Sequence, residues 1–180
     1  FGSSHSAPES PPLRCAVGRA RPARGGPRGG GVLANVVPGM IYNFYIFGRG
    51  RRCLCREEWN RIRPCADVTQ ETKFISGTLL TLTSLCSQLG PPGGQFTAYT
   101  TPQYKLHAFS TATGYRLVLT TDPSVRDLQD TLRHIYAELF VEHVVKNPLY
   151  RIGEDVSKCT TFLSKLHSFV QTRPFFAISA

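Results

Sequence analysis

Acidic residues, methionine and tryptophan are scarce in this 180-residue chain: 12 Asp and Glu face 21 Lys and Arg, and Met40 and Trp59 each stand alone. No run of about 18 apolar residues occurs, which excludes a helix built to span a bilayer. No period of about 20 to 50 residues recurs, which excludes a solenoid. The Gly-x-Ser-x-Gly elbow of a hydrolase is missing. Gly48-Arg49-Gly50 lacks both the third glycine and the following helix that a dinucleotide-binding loop needs. Cys53, Cys55 and Cys65 lack the second close pair, or the histidines, that zinc requires at finger-like spacing, so no metal site is expected. There is no secretory signal pattern, and the six cysteines are therefore expected to be free thiols.

What is present divides the chain in two. Residues 1 to 39 hold five Arg against Glu9 alone, with 8 of the 16 Gly, 6 of the 13 Pro and only Phe1 among the aromatics. This segment has no helical or strand period and is expected to be a disordered, dispensable Arg/Gly/Pro-rich extension. Its glycines and prolines oppose the amphipathic helix of a transit peptide. It also has no interleaved aromatics for stacking on bases, so no nucleic acid is expected as a partner. From residue 40 to 176 the chain reads as one folded domain, large enough for its own core.

Within that domain, Ile41 to Phe47 (IYNFYIF) is apolar on both alternating faces, which predicts a central strand in the middle of a sheet covered by helices. Alternation puts Ile41, Asn43, Tyr45 and Phe47 on one face, with Tyr42, Phe44 and Ile46 on the other. A second strand over Arg52 to Trp59 pairs with it as a hairpin. In that strand Cys53 and Cys55 would share a face, whereas Glu57 and Glu58 would point to opposite faces. A helix begins at Asp67, with Gln70 in a capping-box position, and ends at Gly90-Pro91. Phe74, Ile75, Leu79, Leu82, Leu85, Cys86 and Leu89 form its apolar stripe. Three short strands follow at Phe96 to Tyr99, Tyr104 to Phe109 and Tyr115 to Thr121.

Asp122-Pro123 reads as the start of a long helix reaching Lys146, with Val125, Leu128, Leu132, Ile135, Tyr136, Leu139, Phe140 and Val144 on its apolar face. Asn147-Pro148 stops it. A last helix begins near Glu154 and Asp155 and ends before Pro174. The fold class is α+β, with a five-stranded antiparallel sheet between helices.

Two features stay outside this plan. Six Arg crowd positions 49 to 63, opposed by Glu57 and Glu58, and read as either a solvated hairpin edge or a patch for acidic surfaces. Apolar side chains also surround the end of the long helix (Phe140, Val141, Val144, Val145) and a broad arc of the Phe74 helix. A helix apolar on all sides is buried or lies at an interface. The lone histidines 107, 134, 143 and 167 carry no nucleophile arrangement.

The stretch His134 to Leu149 (HIYAELFVEHVVKNPL) resembles the second helix of the small longin-type subunits of the TRAPP (trafficking protein particle) vesicle-tethering complex. Tyr42 to Phe47, Cys53-Leu54, Glu58-Trp59, Tyr104 to His107 and Pro174 to Phe176 agree in order and spacing. The likeness covers about residues 40 to 176. It implies a SNARE-like, longin (profilin-type) fold with one helix on one sheet face and two on the other, and no enzyme activity or cofactor.

It further implies a place in endoplasmic reticulum to Golgi transport, beside a synbindin-type longin subunit and a palmitoylated core subunit, in an assembly that promotes nucleotide exchange on a Rab GTPase. Such a subunit would be cytoplasmic and peripheral at the cis-Golgi and endoplasmic reticulum, meeting membranes only through the complex. Candidate partner-interface residues are Lys146, Asn147, Pro148, Phe140 and Val144. A small adaptin-type subunit of a clathrin-adaptor coat is the alternative. Residues 1 to 39 and the very basic Arg49 to Arg63 hairpin depart from the family pattern.

Overall fold

A computed structural model describes residues 39–60, 65–91 and 93–173. The expectations for residues 1 to 38, for Arg61 and Arg63 and for the end at Pro174 to Phe176 lie outside them.

Five strands form one antiparallel sheet in the order β2-β1-β5-β4-β3: β1 Ile41–Phe47, β2 Cys53–Glu58, β3 Ala98–Thr100, β4 Lys105–Ser110 and β5 Arg116–Thr121. β1 is interior, with neighbours on both sides, but the central position expected for it is taken by β5, because β1 has only β2 beyond it while β4 and β3 extend the sheet on the other side of β5. Between β2 and β3 runs α1 (Val68–Leu89). Its start is set by Asp67, whose carboxylate accepts from the Thr69 and Gln70 amides at 2.8 and 3.2 Å. Gly90 ends it, donating its N–H to the Cys86 carbonyl.

Two clusters form the core on opposite faces of the sheet. Phe44, Ile46, Leu117 and Leu119 pack beneath α2 (Gln129–His134), its continuation Ile135–Val145 and α3 (Thr160–Gln171). Tyr45, Phe47, Leu106, Ala108 and Val118 pack beneath Leu79 of α1. The arrangement is therefore an α+β layer, with one helix on one sheet face and two on the other.

Three local expectations are corrected. Ile41 joins Phe44 and Ile46 rather than Tyr45, because the β1–β5 register shifts between Ile41 and Asn43. Cys53 and Cys55 do not share a face: a bulge opposite Ile46 and Phe47 sends Cys55 into the α3-side core and Cys53 to the α1 side. Burial raises both thiol pKa values, which keeps them protonated.

The long helix does not start at Asp122. That carboxylate closes a turn on the Ser124 amide and hydroxyl, and helix begins only at Gln129. From Ile135 the winding widens to π geometry, with the Lys146 N–H reaching the Val141 carbonyl five residues back. Buried Ile135, Leu139, Phe140 and Val144 recur at the wider steps this winding needs. Before α3, Asp155 caps only a 3₁₀ turn, Val156–Lys158. Met40 accepts the Asp122 N–H, and a side chain at Gly39 would strike Val125 Cγ2 at 2.2 Å, so only glycine fits where the chain enters the domain.

His107 sits fully buried on β4, its Nε2 3.1 Å from Thr121 Oγ1 and its Nδ1 without a partner. Burial, helped by nearby Lys105, lowers its pKa from 6.5 to about 4, so the fold holds it neutral. The unfolded chain binds the proton more readily. The stability His107 contributes is therefore full above about pH 6.5 and lost as pH falls through about 4. Urea unfolding is expected to show a loss of about 3 kcal/mol from this group between pH 7 and pH 4. His107→Gln is expected to flatten that slope, and an unaltered slope would refute the assignment.

Candidate functional site

Three of the four lone histidines, His107, His134 and His167, are engaged in packing or hydrogen bonds within the fold. Trp59 Nε1–H donates to His167 Nδ1 at 3.0 Å, which makes Nε2 the protonated nitrogen of the neutral ring. It lies 2.9 Å from Glu57 Oε2. This chain ties β2 to α3. Glu58 lies on the other face as expected, where Arg56 pairs with both Glu58 and Glu71 of α1. His134 stacks on Phe169 with ring centroids 4.8 Å apart. No group of three His, Cys, Asp or Glu able to hold a metal occurs among the described residues.

Unspent chemistry lies instead on surfaces. On α1, Ile75, Leu79, Leu82 and Cys86 turn to the sheet, while Phe74, Leu80, Leu85 and Leu89 face outward. Three of the expected stripe residues, Phe74, Leu85 and Leu89, are thus on the solvent side, at 66%, 50% and 68% exposure. One helix cannot bury an arc that wide on a single sheet. Beneath its first half lies a cavity of about 620 Å³ lined by Tyr42, Asn43, Tyr45, Phe74, Ile75 and Leu106.

The second surface is where the π-wound segment ends. Of the five residues expected to meet a partner, Phe140 and Val144 are completely buried in the chain's own core. Phe140 packs between Tyr115 and Phe162, with centroids 5.0 and 6.2 Å away, and cannot reach a partner. Lys146 and Pro148 are exposed, and Asn147 is half-buried. The Lys146 ammonium lies 2.5 Å from Glu142 one turn back, and Asn147 Oδ1 accepts the Leu149 amide. Beside them stand Val145, Leu149 and Ile152, the last two 88% and 78% exposed. Sequence reasoning passed over Leu149 and Ile152, although two large aliphatics in a segment without periodicity were the available signal.

No helix among the described residues is long and apolar enough to cross a membrane.

Residues 41–173 match the family model described as the Sybindin-like family. The chain is similar to trafficking protein particle complex subunit 1 of Dictyostelium discoideum, 35% identical over 142 residues covering 77% of this chain and 99% of that protein. The Homo sapiens protein of the same name is 38% identical, covering 78% and 98%. Transport protein particle subunit bet5 of Schizosaccharomyces pombe is 33% identical, covering 73% and 96%.

Proposed function

Because this chain belongs to the Sybindin-like family, we propose that it is a non-catalytic core subunit of a TRAPP complex in endoplasmic reticulum to Golgi vesicle transport. The observation that carries this reading is coverage: nearly the whole of each relative named for that complex aligns here. The shared unit is therefore the subunit itself.

The uncovered apolar surfaces support it physically. Phe74, Leu80, Leu85 and Leu89 on one side and Val145, Leu149 and Ile152 on the other leave two sides of a small domain for neighbouring subunits to cover. A synbindin-type longin subunit and a palmitoylated core subunit are the neighbours proposed. The assembly would act as a Rab exchange factor. Exchange needs no reactive group from this chain, because a surface that binds the nucleotide-free GTPase better than the loaded one shifts the population toward release. The location proposed is cytoplasmic, peripheral at the cis-Golgi and endoplasmic reticulum.

Tagged full chain is expected to recover other TRAPP subunits and a Rab in its nucleotide-free form. Recovery of neither, or of large adaptins instead, would overturn the reading. Leu149→Asp combined with Ile152→Asp is expected to leave thermal stability nearly unchanged, since both side chains are exposed. The same pair is expected to cut subunit recovery about tenfold or more.

A further inference from the structure

The basic hairpin read from the sequence is not one feature. Arg56 is absorbed by Glu58 and Glu71. Arg49, Arg51 and Arg52 lie at the other end, in the β1–β2 turn, and have no ion pair among the described residues; neither does Arg116 at the start of β5. Protection of a sheet edge does not account for them, because Arg116 belongs to the middle strand and Arg49, though exposed, is tied to the β4–β5 turn.

Arg49 is held in place. Its Nε–H donates to the Thr113 carbonyl across the β4–β5 turn at 2.7 Å. Its stem lies against Gly114, where φ is +86° and an added Cβ would come 3.0 Å from Arg49 Cγ. One guanidinium donor is thus fixed on the protein, and the four on the terminal nitrogens are left to a ligand. Beside it opens a pocket of about 310 Å³ lined by Arg49, Arg116, Ser87, Gln95, Ser110 and Gly114, among others.

The walls carry no counter-charge. From Thr72 to Thr121, fifty residues that supply α1's second half, the segment before β3 and both strands of the β4–β5 hairpin, there is no Asp or Glu. The hydroxyls there are partly committed: Thr83, Ser87 and Thr111 donate to the Leu79, Ser84 and Tyr115 carbonyls. The free donors are chiefly the two guanidiniums. They reach the pocket from separate elements, which suits an anion with more than two oxygens and nearly two charges.

We propose that this turn end of the sheet binds a small phosphate monoester, gripped by Arg49 and Arg116 with Arg51 and Arg52 as a positive rim. The site is independent of the subunit assignment. The phosphate could belong to a membrane lipid headgroup or to a free metabolite, and the chemistry of capture is the same.

The test uses the full chain, labelled with nitrogen-15, titrated with inorganic phosphate and with inositol 1,4-bisphosphate. Co-sedimentation follows, using phosphatidylcholine vesicles with and without phosphatidylinositol 4-phosphate. The bisphosphate is expected to shift the Gly94, Thr111 and Gly114 amides and the Arg49 Nε–H saturably. Arg49→Gln with Arg116→Gln is expected to weaken binding about tenfold or more. Arg126→Gln with Arg151→Gln removes the same charge elsewhere and is expected to leave binding intact, with melting curves confirming that both pairs fold.

Vesicle binding that is lost in the first pair alone identifies the lipid headgroup as the source. Saturable soluble binding without vesicle binding identifies a free phosphate compound. Both support the site. Absence of saturable shifts, equal weakening in both variant pairs, or tighter binding of a phosphoserine peptide than of the bisphosphate would overturn it.

Discussion

Leu132→Asp is expected to unfold the domain or leave it barely folded. Leu132 lies on α2 with no exposed surface, in the cluster that joins that helix to β1, β5 and α3. The substitution removes a buried aliphatic group, which alone costs about 2 to 5 kcal/mol. It then places a carboxylate where no cation belongs to the cluster, adding a desolvation cost of several kcal/mol unless the group takes up a proton. A total of roughly 5 kcal/mol or more equals much of the stability of an ordinary domain. Circular dichroism on melting reads the result directly. An unchanged melting temperature would mean that α2 turns another side to the sheet.

Phe140→Ala is expected to cost about 3 to 5 kcal/mol in the isolated chain. Phe140 is completely buried, and the rings of Tyr115, Tyr136 and Phe162 surround it with centroids 5.0 to 6.2 Å away. Truncation leaves a ring-sized void that these aromatics, held on the segment before β5, on the π-wound helix and on α3, cannot fill together. Val145→Ala nearby is the control: Val145 is 46% exposed, and its loss is expected to change stability by no more than about 0.5 kcal/mol. The pair separates two roles. If Phe140 were a partner contact, its loss would spare the fold and abolish subunit recovery; denaturant melts of the chain alone distinguish the two.

The contrast between Phe140 and Leu149 shows where the sequence stopped being informative about the site. HIYAELFVEHVVKNPL is apolar on so many sides that periodicity could not say which residues were surplus. Phe140 and Val144 looked available and are core. Leu149 and Ile152 follow the helix stop, where no period exists to mark them, and they are the exposed ones. The α1 stripe behaved the same way, because an arc from Phe74 to Leu89 exceeds what one sheet face can cover. The Arg-rich hairpin also needed three dimensions: Arg56 meets Glu71 on α1, and Arg49 meets Thr113, 64 residues away.

The sequence by itself determined the kind and order of the elements. IYNFYIF is a strand, Asp67 starts a helix, Gly90-Pro91 ends it, and three strands precede the last helices. These are local matters, settled by side-chain spacing, turn residues and caps within a few positions. Tertiary structure decided which side chains face where. One register shift moves Ile41 to the other face, another divides Cys53 from Cys55, and the widened winding after His134 carries Phe140 and Val144 inward. Each depends on pairing between segments distant in the chain, as the Trp59–His167 bond across 108 positions does. A strand's period of two makes its facing reverse with a single-residue slip, so no local pattern can specify it.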